Sequence, residues 1–229
     1  MAIKSLQCTE EEGPELRNGD CMTRQEFHRA YCAMPESYRA ELIGGIVFEP
    51  SPVSYAHGQS DVDFACLLRE YALATPGTGV AHNVTVILSD DDEVQPDLIL
   101  RVDRKFGGAS RETKEHYIVG PPELAAEIVY SSRAIDFHLK KERYALAGVI
   151  EYVVVCLRPK RVYWFDLGKG KMLEADKKGV FRSVIFPGLW IHGKGLLDLD
   201  FELTKSTLKR GLRSVEHKRF VEELTERRC

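Results

Sequence analysis

The sequence predicts an α/β fold: a mixed sheet with an antiparallel portion, flanked by helices. Three observations predict it. Between Glu123 and Tyr144 (ELAAEIVYSSRAIDFHLKKERY) a short apolar run, Leu124–Tyr130, gives way to side chains at helical spacing, Asp136, Lys140 and Tyr144. A second apolar run, Glu151–Leu157, follows, so the segment reads strand–helix–strand. Upstream, Gly44-Gly45 separates two short apolar runs and signals a two-residue hairpin, which supplies an antiparallel pair.

The elements follow in order. Residues 1–20 are polar and without period, which predicts a loose arm. Thr23 with Glu26 three residues on is a capping box, opening a helix that runs to about Met34, before Pro35. Ala40–Ile43 and Ile46–Phe48 form the hairpin, and Pro50 and Pro52 end it. A helix over His57 to about Ala74 fits Val62, Ala65, Leu67, Leu68 and Ala72, and the Pro76-Gly77 turn closes it. Val80–Leu88 and Val94–Val102 predict two strands joined by a turn over Ser89–Glu93. Asp103–Gly120 is charged and glycine-bearing, a surface loop or irregular helix. Beyond the central strand come a helix over Ala134–Ala147, the strand Glu151–Leu157, and Arg161–Leu167 paired to it through Arg158–Lys160. Val180–Ile191 predicts a short hairpin, and Lys205–Arg228 a charged helix. The expected partition is an arm over 1–20, a domain over 21–200 and a C-terminal helix within 201–229.

Composition narrows the functional classes. A chain of 229 residues with 44% apolar and 29% charged content buries a real core, and a net charge of −3 provides no global basic field, so nucleic-acid contact must rest on a local patch. No run approaches the ~18 apolar residues of a membrane span, and the first residues lack a signal-peptide core. Six scattered cysteines show neither a CxxC pair nor a disulfide framework, and read as reduced residues of a cytoplasmic protein.

Two carboxylates lie inside apolar strands, where stability does not call for them. Glu127 sits in the middle of Leu124–Tyr130, and Asp97 follows Pro96 among Val94, Leu98, Ile99 and Leu100. Desolvating an unpaired carboxylate costs several kcal/mol or protonates it. On neighbouring strands the two could share Mg²⁺, which takes oxygen ligands and often only one or two carboxylates plus a substrate phosphate. Lys140 on the next helix could polarise the attacking water or offset phosphate charge. A strand-end Asp can equally be a cap.

The series Glu41-Leu42-Ile43-x-Gly45, Ser51-Pro52…His57, Pro96-Asp97, Glu127-Ile128-Val129, Asp136-x-x-x-Lys140-x-x-x-Tyr144 and Ala147-Gly148-Val149-x-Glu151-Tyr152 resembles the Uma-two restriction-endonuclease family of the PD-(D/E)XK nuclease superfamily. The match runs from about Met22 to Leu189. The resemblance implies a restriction-endonuclease-like core and hydrolysis of DNA phosphodiesters with Mg²⁺ or Mn²⁺. It implies Asp97 and Glu127 as metal carboxylates and Glu41 as the acid from the N-terminal part of the core. The superfamily's lysine, normally two residues after the Glu, would have moved from the position of Val129 to Lys140. The chain departs from the family at Gly44, where an acid is common, and at Tyr130-Ser131-Ser132-Arg133, where a proline is usual.

His57, Asp136 and Tyr144 are expected to support the site. His57 could instead cap its helix, and Tyr144 could pack behind the site. Lys141 points about 100° away from Lys140 around a helix. Asp90–Glu93 resembles a metal cluster but reads as a solvated turn, and Asp198 and Asp200 read as surface residues. The C-terminal segment carries eight basic against four acidic residues, which fits a solvated helix face or a packing appendage, or else a DNA-backbone contact. The expected activity is that of a DNA endonuclease, with DNA as partner and a homodimer as candidate assembly. The rival readings are a non-catalytic nuclease-fold module that binds nucleic acid or a protein, and a small-molecule phosphoesterase.

Overall fold

The computed structural model describes residues 16–35, 37–50, 52–131 and 135–227. Most of the expected N-terminal arm, 1–15, lies outside the described residues, as does Ala134 at the expected helix start. The described end of that arm is tied down: Leu16 is buried, and the Gly19 amide donates to the Val47 carbonyl at 2.8 Å.

Helix α1 (Arg24–Ala33) opens on the reciprocal capping box of Thr23 and Glu26. Strands β1 (Glu41–Ile43) and β2 (Ile46–Phe48) pair antiparallel around Gly44 and Gly45, whose φ of +60° and +78° only glycine adopts freely. Helix α2 (Tyr55–Ala74) is capped by Ser54 and turns Phe64, Leu67, Leu68 and Tyr71 inward, while Val62 stays in solvent.

The two strands expected over 80–102 form one hairpin broken in the middle. Its outer halves, β3 (Thr78–His82) and β6 (Leu98–Val102), pair in one sheet; its inner halves, β4 (Val86–Ile87) and β5 (Glu93–Val94), pair in another. Asn83 takes a positive φ of 48° at the break, and Pro96 on the opposite side has no N–H for a ladder. The Asn83 amide instead donates to the Asp97 carbonyl at 3.1 Å. Asp97 therefore stands at the junction of the two sheets.

The stretch expected as a surface loop or irregular helix contains a 3-10 turn, Arg104–Phe106, and the short strands β7 (Arg111–Glu112) and β8 (Ile118–Val119). The central strand β9 (Leu124–Ser131) is followed by a π-helical turn, Ile135–Lys140, that continues into α3 (Lys141–Ala147). Strands β10 (Glu151–Arg158), β11 (Lys160–Asp166) and β12 (Lys171–Leu173) complete the main sheet, and β13 (Val180–Arg182) pairs with β14 (Trp190–His192). Among the described residues the main sheet runs β12-β11-β10-β9-β6-β3, parallel only between β9 and β10; the second runs β2-β1-β5-β4-β8-β7. This is the mixed sheet expected from the strand–helix–strand segment.

The pleat of β9 sorts its side chains. Leu124, Ala126 and Ile128 join Phe64, Leu67, Leu68 and Trp164 on one face; Ala125 and Val129 join Ile99, Tyr144, Tyr152 and Val154 on the other. Glu127 shares the second face by period.

A short α4 (Gly193–Leu197) follows, and the single helix expected over Lys205–Arg228 is instead two, α5 (Phe201–Leu212) and α6 (Val215–Glu226). Ser214 breaks the run by capping α6. Leu208, Phe220 and Leu224 are buried in the α2-side core, each contributing roughly 1.5–3 kcal/mol by burial. The charged residues cover the outside of a packed pair.

Candidate active site

Four of the expected site residues meet from four segments. Glu41 begins β1, Asp97 lies at the sheet junction, Glu127 is mid-β9 and Lys140 ends the π-helical turn. Lys140 Nζ stands 2.9 Å from Glu41 Oε2 and 2.9 Å from Glu127 Oε1. The remaining Glu41 oxygen accepts the Gln95 amide at 2.7 Å, fixing β1 to the segment that carries Asp97. Asp97 Oδ2 accepts the Ile128 amide at 2.7 Å, and its Oδ1 lies 3.6 Å from His57 Nε2.

The supporting residues divide. Tyr144 donates its hydroxyl to Glu127 Oε1 at 3.0 Å. Asp136 is buried and its carbonyl accepts the Tyr152 hydroxyl at 3.1 Å. His57 lies in the first turn of α2 beneath the Ser54 cap and faces Asp97. Burial of the pair opposes its charges, and neighbouring groups decide the balance. Burial pushes the Lys140 ammonium down, but the Glu127 and Glu41 carboxylates more than reverse this and hold it well above its ordinary range. Glu127 is pushed well up by burial; Lys140 offsets part of that, and Asp97, Glu41 and Asp136 add to it. One ammonium cannot balance this many carboxylates.

Glu41, His57, Asp97, Glu127, Asp136 and Lys140 line a cleft of about 790 Å³ that also takes in Arg39, Asp61, His82, Asn83, Gln95 and Tyr130. Sequence reasoning missed Asp61 and His82. Asp61 is buried, hydrogen-bonds His82 Nε2 through Oδ2 and leaves Oδ1 without a partner. The signal was available, because Asp61 lies one helical turn after His57. Lys141 leaves the site altogether, with its ammonium 4.9 Å from the Phe165 ring centroid.

The reading of Asp90–Glu93 as a solvated turn is corrected. Asp90 and Asp91 are exposed, but Asp92 and Glu93 are buried. Asp92 accepts the Gly44 amide at 2.8 Å and the Arg143 guanidinium at 2.5 Å, and Glu93 meets His28 at 2.8 Å. Side chains from α1 and α3, distant in sequence, cover these acids. Asp198 and Asp200 are exposed; Asp198 pairs with Lys160 and Lys194, and Asp200 caps α5.

The carboxylate-rich donor set suits a hard divalent cation, which would relieve the carboxylate crowding that adds to burial in raising Glu127. Among the described residues no three His, Cys, Asp or Glu side chains are grouped to hold an ion by themselves. Two carboxylates completed by water and phosphate meet the ordinary needs of Mg²⁺. None of the described helices is long and apolar enough to cross a membrane.

The model of the Uma2 family, described as "Putative restriction endonuclease", matches residues 24–199. Among solved structures, a nuclease of the DUF820 family from Anabaena variabilis, itself assigned as putative, superposes with a TM-score of 0.59 at 12% identity. The match covers 74% of this chain and 96% of that one, a likeness of fold. No curated protein matches.

Proposed function

The chain belongs to the Uma2 family, and from that premise we propose that it is a divalent-metal-dependent endonuclease that hydrolyses phosphodiester bonds in DNA. The observation that carries this reading is the convergence of Glu41, Glu127 and Lys140 beside Asp97, on the wall of a cleft.

Asp97 and Glu127 would hold Mg²⁺ or Mn²⁺, with Glu41 at its edge. A bound cation supplies Lewis-acid polarisation of the scissile phosphate and lowers the pKa of bound water. The chain's own residues do the rest. The Ile128 amide and His57 orient the Asp97 carboxylate, and the Tyr144 hydroxyl orients Glu127. Lys140 brings a buried positive charge beside the carboxylates, where it positions the water and stabilises charge that develops on phosphate oxygens. Because Lys140 approaches from the helical turn, the strand position two residues after Glu127 is free for Val129 to pack in the core.

Calorimetric titration with Mn²⁺, followed by plasmid cleavage, tests the reading. Wild type binds and nicks, whereas Asp97→Asn and Glu127→Gln lose both. Undiminished Mn²⁺ binding in both variants ends the metal assignment. Mn²⁺ binding without cleavage of plasmid, together with turnover of small nucleotides, assigns a phosphoesterase. DNA binding that ignores metal assigns the non-catalytic module.

A further inference from the structure

Away from the cleft, α1 carries a second chemical constellation. Arg24, His28 and Cys32 recur at i, i+4 and i+8 and so share the face that α1 lays over β5. His28 Nδ1 lies 2.8 Å from Glu93 Oε1, and both side chains are more than nine-tenths buried. His28 Nε2 lies 3.6 Å from Cys32 Sγ, within hydrogen-bond reach for sulfur. Arg24 Nη1 stands 3.7 Å from Glu93 Oε2, and neither of those buried atoms has a hydrogen-bond partner. A fold that wanted only to pin α1 would satisfy both atoms; leaving them orphaned costs on the order of 1–3 kcal/mol.

The geometry fixes the imidazole's tautomer. The Glu93 carboxylate accepts the Nδ1 hydrogen, so Nε2 presents its lone pair to the thiol. Nucleophile, base and orienting carboxylate then stand in line, the arrangement that activates a sulfur. Tyr117 packs edge-on against the His28 ring at 5.5 Å and holds its plane. Cys32 itself is half-buried, while His28 and Glu93 behind it are buried.

We propose that Cys32 is a reactive thiol, activated by His28 and Glu93, whose reactant is a small peroxide. The Cys32 S–H proton moves to His28 Nε2, and the thiolate attacks one peroxide oxygen. The S–O bond forms as the O–O bond breaks; the sulfur is oxidised by two electrons and the peroxide is reduced. His28 returns the proton to the departing oxygen, which leaves as water or alcohol, and Cys32 becomes a sulfenic acid.

The test uses the full chain with dilute hydrogen peroxide, dimedone to trap sulfenic acid, and peptide mass spectrometry to read each cysteine. Cys21 and Cys66, both exposed, serve as internal references, and buried Cys156 reports loss of fold. Cys32 is expected to label roughly tenfold faster than either exposed cysteine at neutral pH. His28→Asn and Glu93→Gln should bring Cys32 down to or below the reference rate while Cys21 and Cys66 hold theirs. Labelling of Cys32 no faster than Cys21 and Cys66 in the wild type overturns the proposal. So does an unchanged Cys32 rate in a His28→Asn protein whose Cys156 stays protected. If that variant exposes Cys156, the wild-type comparison decides alone.

Discussion

Lys140 Nζ stands 2.9 Å from Glu127 Oε1, although the two are joined by a strand end and a π-helical turn rather than by neighbouring positions of one strand. The Glu127 and Glu41 carboxylates hold the ammonium in place against the cost of its burial.

Lys140→Ala should therefore lower plasmid cleavage by ~10²-fold or more, with DNA affinity changed far less, because the charge acts mainly in the transition state. The same variant strands Glu41 and Glu127 and should lower the melting temperature. Lys141→Ala removes only an exposed-side contact with Phe165 and should leave both readouts near wild type. Equal losses in the two variants would mean that the wrong helix face has been assigned to the site.

Asp92 ties the β1–β2 turn to α3 through the Gly44 amide and Arg143. Burial pushes its carboxyl up, but hydrogen bonds from Arg143, Ser89 and the Gly44 amide reverse this and hold it below its ordinary value. Asp92→Ala leaves the Arg143 guanidinium without its main partner and should cost about 3 kcal/mol in denaturant unfolding. A loss below 0.5 kcal/mol, on the order of an exposed ion pair, would show the tie to be superficial.

His217 gives a pH dependence. Its Nε2 meets Thr75 Oγ1 at 2.9 Å, its Nδ1 meets the Leu212 carbonyl at 2.9 Å, and burial lowers its pKa despite that carbonyl. The unfolded chain thus binds a proton more readily than the native state does. The stability from neutral His217 is present above its unfolded value near 6.5 and is lost as pH falls toward the lower folded value. Melting temperature should fall between about pH 7 and about pH 5, and the fall should shrink in His217→Asn. An identical slope in the two proteins would assign the effect elsewhere.

Leu208 is fully buried on α5. Leu208→Ala should destabilise by about 2–5 kcal/mol. Deleting residues beyond about 203 should prevent folding rather than merely weaken DNA binding. A stable, truncated protein with a flattened salt dependence would restore the segment as a DNA-contacting appendage.

The sequence by itself determined the local chemistry. A capping box at Thr23, glycines in the 44–45 turn, and an abrupt change of period after Glu127 each act within a few residues, so each was legible where it stood. Charges inside apolar strands pointed to Glu127 and Asp97 for the same reason: desolvation makes such a residue expensive wherever it is placed. Tertiary structure decided everything that depends on distant partners. Asp92 and Glu93 read as a solvated turn until Arg143 from α3 and His28 from α1 covered them. The C-terminal charges fitted a solvated face or packing appendage as well as a DNA contact, and only the fold shows Leu208, Phe220 and Leu224 packing into the core beside α2. The Cys32–His28–Glu93 line joins a helix to a strand 65 positions away, and no local rule brings those residues together. Burial and pairing are long-range quantities, set only when the sheets close on the helices that cover them.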